Sequence, residues 1–112
     1  MKAWLRHTPT LLTLAVAVLL LAHGPIPQPA AYHDFADVQV RLGVQHAFDV
    51  LSNVPFALVA GLGLLALWPH RRHPALAAAW PGYLLFLLAL LGTAFGSTWY
   101  HLAPDDVRLV WD

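Results

Sequence analysis

The chain has 112 residues, of which 59% are hydrophobic, with six basic and six acidic side chains and no cysteine. So few charges among long uncharged runs belong to the membrane class rather than to a water-soluble domain. The basic residues are scattered and adjacent only at Arg71-Arg72, so no nucleic-acid partner is expected. Disulfides and thiolate metal sites are excluded, and because glutamate is also absent, all carboxylate chemistry falls on Asp34, Asp37, Asp49, Asp105, Asp106 and Asp112.

Met1 to Arg6 is a short basic start, followed by the uncharged run Thr8 to Ala22. A spanning helix needs about 20 apolar residues, so this run suits an uncleaved anchor helix and a signal-peptide core alike. The small residues at Ala30-Ala31 permit cleavage without demanding it. In either case the basic end stays cytoplasmic and Gly24 onward lies outside. Pro25, Pro27 and Pro29 make Gly24 to Ala31 an extended linker, since each removes a donor and discourages helix in its predecessor. Residues 1–31 are thereby set apart from residues 32–112.

Tyr32 to Asp37 brings the first acidic cluster, and Val38 to Phe48 predicts a short amphipathic segment at the outer surface. Asp34 and Asp37 lie at helical spacing, but two carboxylates are too few to specify a calcium site, and a solvated turn accounts for them. Asp49 opens the second apolar run, Val50 to Pro69, which predicts a spanning helix of about 20 residues. Pro55 is tolerable near its start, and Asn53 is expected to hydrogen-bond across a helix interface. Asp49 and Ser52 are candidate caps, with Asp49 beside the positive end of the helix dipole.

His70-Arg71-Arg72-His73-Pro74 is a cytoplasmic positive loop, and its two arginines would repel a metal ion placed between the histidines. Ala75 to Tyr100 is long enough to span with tilt and returns the chain to the outer side. On this topology His101, Asp49, His46, Asp34 and Asp37 gather near the outer face, with the arginine loop at the other.

The third run closes on Gly96-Ser97-Thr98-Trp99-Tyr100-His101-Leu102-Ala103-Pro104. Ser97 and His101 are four residues apart, on one helix face, with Thr93 a turn earlier. Gly92 and Gly96 add a small-residue stripe on which another backbone can close. An ionisable residue at this depth is a functional candidate, while a histidine beside Trp99 and Tyr100 is equally a member of an interfacial aromatic belt. Pro104 ends the helix, Asp105-Asp106 suit a new helix start, and Val107 to Trp111 begin a fourth span whose interruption at Asp112 suggests a partial polypeptide. The expected fold is all-α, an integral membrane helical bundle of three spanning helices plus the start of a fourth.

Asp49-Val50-Leu51-Ser52-Asn53-Val54-Pro55-Phe56, Gly96-Ser97-x-x-Tyr100-His101-Leu102-x-Pro104 and Arg108-Leu109-Val110-Trp111-Asp112 together resemble the bacterial branch of the alkaline ceramidase family. These are seven-helix membrane hydrolases in a larger group with the adiponectin receptors, and the resemblance covers residues 32–112. It implies a multi-pass protein of the bacterial cytoplasmic membrane that hydrolyses the amide bond of ceramide-like lipids to a sphingoid base and a fatty acid. It further implies zinc, with His101 as a ligand, Ser97 as the donor to the developing oxyanion, and Asp112, eleven residues beyond His101, as the carboxylate that accepts and passes on a proton.

The family's two further zinc-binding histidines lie on a last helix that these residues do not include, and His101 by itself cannot hold the metal tightly. Eukaryotic members also carry an N-terminal calcium site; the acidic position three residues before Asp49 is His46 here, so calcium is doubtful. The expected partners are the lipid bilayer and a membrane lipid substrate. The alternatives are a non-enzymatic receptor or structural protein of the same fold, and an inactive fragment.

Overall fold

A computed structural model describes Leu5 and residues 7–112, so Lys2 and Arg6 of the basic start lie outside the described residues. The chain forms α1 (Thr8–His23), a 3-10 turn (Ala30–His33), α2 (Ala47–Ser52), α3 (Val54–Leu67), a second 3-10 turn (Trp68–His70), α4 (Pro74–Ala77), α5 (Trp80–Leu102) and α6 (Asp106–Leu109). Among the described residues no strand forms, and one isolated bridge joins Arg41 to Val44.

Two helical stretches, Ala47–His70 and Trp80–Leu102, are long and apolar enough to cross a membrane. The first α-helix is apolar but has only 16 residues, a rise of about 24 Å against a hydrocarbon core of about 30 Å. Both span-length stretches leave several large side chains outward: Leu62 is 65% exposed, Leu65 75% and Phe95 71%. A soluble monomer rarely leaves contiguous apolar patches beyond a few hundred Å².

The second apolar run is interrupted at Asn53 rather than continuous. Pro55 stands in the first turn of α3 and has no amide to offer the turn before it. The Asn53 amide bonds to the carbonyl of Val50 at 3.2 Å, one residue short of the α-helical acceptor Asp49. The Asp49 carbonyl instead accepts from Ser52 Oγ at 2.6 Å and Asn53 Nδ2 at 3.2 Å. Asn53 is buried, but its amide serves its own helix and not a neighbour, and Ser52 bonds backward instead of capping. The third run also starts later than its composition suggests. Ala78 and Ala79 separate α4 from α5, where Pro81 falls in the first turn of the longer helix.

The α3 and α5 helices run antiparallel. Trp68 meets Trp80 edge-on at 5.8 Å at the arginine-loop end, while Asp49 meets His101 at the opposite end. Between them a Cβ on Gly63 would lie 2.6 Å from Leu87 Cδ2, so the missing side chain is what lets Leu87 sit over α3. The loop histidines have local partners: His70 Nδ1–H donates to the Ala66 carbonyl at 3.1 Å, and His73 Nδ1 accepts the Ala75 amide at 3.3 Å.

The radius of gyration is 17.3 Å, where a compact domain of this length has about 13 Å. The shortest dimension is 16 Å against 49 Å for the longest. The helices therefore form a flattened, open arrangement.

Within the expected surface segment Val38 to Phe48, Ala47 and Phe48 start α2, and residues 38–46 are not helical. They form a tight turn in which Leu42 (φ 52°) and Gly43 (φ 80°) both adopt left-handed backbone, closed by paired bonds between Arg41 and Val44. This reversal folds the loop back on itself and carries His46 to the start of α2.

Candidate functional site

At the end of the hairpin away from the arginine loop, three segments meet. The first is the loop before α2, organised by Asp37. Its Oδ1 accepts the Gln39 amide at 3.0 Å, and its Oδ2 accepts the amides of Phe48 and Asp49 at 2.8 and 3.3 Å. Those two amides belong to the first turn of α2, so Asp37 caps the helix from nine residues before its preceding residue, His46, whose own side chain caps nothing. Partial burial pushes the Asp37 carboxyl upward in pKa, but the three backbone donors and the nearby His46 outweigh it and hold it below 3.8. The expected dipole position of Asp49 is met, since it lies in the first turn of α2.

The second segment is the last turn of α5. Ser97 and Tyr100 are buried, and His101 carries an Nδ1 that is buried without a hydrogen-bond partner. The nearest carboxylate oxygen is Asp49 Oδ2 at 3.7 Å, within ion-pair range and beyond a hydrogen bond. The ring of Phe35 packs against three neighbours, 4.6 Å from His101, 5.2 Å from His46 and 5.4 Å from Tyr100. The structure thus gathers His101, Asp49, His46 and Asp37 at one end, as the topology predicts.

The third segment is the linker, and it supplies a residue that spacing alone does not reveal. His33 Nε2 lies 3.0 Å from Asp106 Oδ1, and its Nδ1 lies 2.8 Å from the Tyr100 hydroxyl. A carboxylate only accepts, so Nε2 carries the proton, and in the neutral ring Nδ1 accepts from the Tyr100 O–H. The Gln28 amide donates to the same Asp106 oxygen at 3.1 Å. No periodicity connects His33 to partners 67 and 73 residues away. The only sequence hint is that Tyr100 sits one turn beyond Ser97, beside His101.

The turn after Pro104 completes the end. Asp105 caps α6, accepting the Arg108 amide at 2.7 Å, and the Arg108 guanidinium lies 4.5 Å over the Trp99 ring. A Cβ on Gly96 would run into the carbonyl oxygen of Trp111, so the expected close approach is made at Gly96, while Gly92 faces open space. Asp112 is exposed, and among the described residues no hydrogen bond or ion pair joins its carboxylate to His101 or Ser97.

Comparison with family models, with curated proteins and with solved structures finds no match to this chain. For the zinc that the sequence resemblance implies, the test is the chemistry of the donors. A buried imidazole nitrogen without a partner suits one ligand position, and His101 offers it. Catalytic zinc takes three protein ligands plus water, and among the described residues no group of three histidine, cysteine or acidic side chains is placed to hold a metal. Among the described residues His101 thus offers one available donor, and three are not brought together.

Proposed function

We propose that this chain forms part of a zinc-dependent membrane amidase of the alkaline ceramidase type, acting on ceramide-like lipids. The observation that supports this reading best is the pairing of buried Ser97 with buried, unpartnered His101 Nδ1 one turn apart at the end of a span-length helix. Polar groups are costly at membrane depth, and an orphaned imidazole nitrogen costs about 1–3 kcal/mol unless something binds it.

In this reading α1 is a third membrane-crossing segment, extended beyond its helical residues by the neighbouring linker, and α6 begins a fourth. The arginine loop is cytoplasmic, and the His101 end faces outward. His101 contributes one zinc ligand, with the remaining ligands coming from outside these residues. When bound, zinc supplies a water acidified to a pKa of about 7. Ser97 donates its hydroxyl hydrogen to the carbonyl oxygen of the scissile amide as charge develops there. Asp112 accepts a proton and returns it to the leaving nitrogen. Asp49 Oδ2, 3.7 Å from His101 Nδ1, adds negative charge beside the metal position. A lipid substrate enters sideways, because the exposed leucines of α3 and α5 keep the site in contact with acyl chains.

The test uses the protein purified from membranes with any downstream sequence retained, assayed for bound zinc and for release of fatty acid from a short-chain ceramide. His101→Ala is expected to abolish zinc retention. Ser97→Ala is expected to retain zinc and lose about 10²–10³-fold in turnover. Unchanged metal content in the His101 variant overturns the assignment.

A further inference from the structure

Asp106 also borders a second feature. A cleft of about 210 Å³ opens between the end of α1, the linker and α6, and it is lined by Leu20, Ile26, Leu109 and Val110, with His23 and Asp106 also in its wall. We propose that this cleft binds a single-chain lipid bearing a primary ammonium group, with the alkyl chain along the leucines and the ammonium against Asp106.

The placement of the carboxylate carries the argument. Asp106 Oδ1 accepts both the Gln28 amide at 3.1 Å and His33 Nε2–H at 3.0 Å. Two donors from a segment more than 70 residues away hold the group in one orientation. Its Oδ2 accepts no hydrogen bond among the described residues, and the side chain stays 34% exposed. An oriented anionic oxygen left over beside an apolar cleft calls for a cationic donor joined to an apolar body.

His23 also lines the cleft, with its Nδ1–H donating to the Gly24 carbonyl at 3.3 Å. A carboxylate in an apolar wall complements an amine. It does not complement a fatty acid, whose own carboxylate would meet Asp106. A neutral alcohol offers Oδ2 only an uncharged donor, which makes the weaker bond.

The amine product of the proposed amide hydrolysis belongs to this chemical class. The inference rests on that reading for why such a lipid is encountered, but its binding needs neither zinc nor turnover, so each can fail alone.

The test titrates dodecylamine and, separately, dodecanol into the chain in neutral phospholipid nanodiscs at pH 7, following the methyl resonances of Leu20, Ile26, Leu109 and Val110. Dodecylamine is expected to shift these four in a saturable way and to bind about tenfold more tightly than dodecanol. Asp106→Asn keeps the acceptor for Gln28 and His33 and removes the charge, and it is expected to abolish that tenfold preference. Leu109→Trp fills the cleft and is expected to weaken both ligands. Equal binding of amine and alcohol overturns the proposal, as does an amine preference that survives Asp106→Asn. The wild-type comparison of the two ligands decides the matter even if a variant fails to fold.

Discussion

The Nδ1 of His33 lies 2.8 Å from the hydroxyl of Tyr100, tying the proline-rich linker to the buried last turn of α5. With Asp106 on the other ring nitrogen, one imidazole joins three segments that are far apart in the chain. His33→Ala is expected to leave the Tyr100 hydroxyl buried without a partner and to cost about 1–3 kcal/mol in denaturant unfolding in micelles. Tyr100→Phe is expected to cost less, about 0.5–1.5 kcal/mol, and the double variant to show non-additive coupling. Strict additivity would mean that the two rings do not interact.

The two glycines of the α5 stripe have opposite surroundings, which makes them a matched pair. Gly96→Ala places a methyl against the Trp111 backbone and is expected to destabilise by about 1–3 kcal/mol, with the fluorescence of Trp111 shifting as α6 is displaced. Gly92→Ala meets nothing and is expected to gain up to about 1 kcal/mol from helix propensity. Thermal melts of the two variants check both signs.

Leu42 is fully exposed and left-handed at the first centre of its turn. A leucine there gains nothing from packing and bears a steric penalty of about 1–2 kcal/mol. Leu42→Asn is expected to stabilise by about 1 kcal/mol, since asparagine followed by glycine is the preferred pair for this turn. A lower melting midpoint would show that the turn geometry is not the one described.

Asp37 sets an acid limb. Its carboxyl is held below 3.8 in the folded chain by its backbone donors, so the unfolded state binds its proton first as pH falls. The stability it contributes is whole above pH 3.8 and is lost as pH drops through the lower folded value. Asp37→Asn is expected to flatten the unfolding midpoint over that acid range, with α2 fraying in the circular dichroism signal.

Asp49 gives a test at the same end of the hairpin. Asp49→Asn removes a charge from the first turn of α2 and is expected to cost about 0.3–1 kcal/mol without metal. On the proposed reading it also removes negative charge 3.7 Å from the ring nitrogen that meets the metal and lowers zinc retention, read from metal stoichiometry after dialysis. Zinc retained at the wild-type level would remove Asp49 from that role.

Much of the architecture is legible in local patterns. The apolar runs locate the two long helices, the arginines locate their connection, and Pro104 with Asp105 marks where α5 ends and α6 starts. Interruptions within the runs are less legible, because the break at Asn53 depends on which donors compete for the Asp49 carbonyl. The site is read only in part. Ser97 and His101 share a face by helical arithmetic, but the capping of α2 by Asp37 and the bridge from His33 depend on how a nine-residue turn and a proline linker fold back. Neither leaves a periodic trace.

An arrangement 16 Å through its shortest dimension and 32 by 49 Å across has two broad sides. Trp68, Trp99 and Trp111 are each about half exposed on it. Spin-labelled or brominated acyl chains should therefore quench these indoles by direct collision, and the depth at which quenching peaks for each would read out the tilt of the whole assembly in a bilayer.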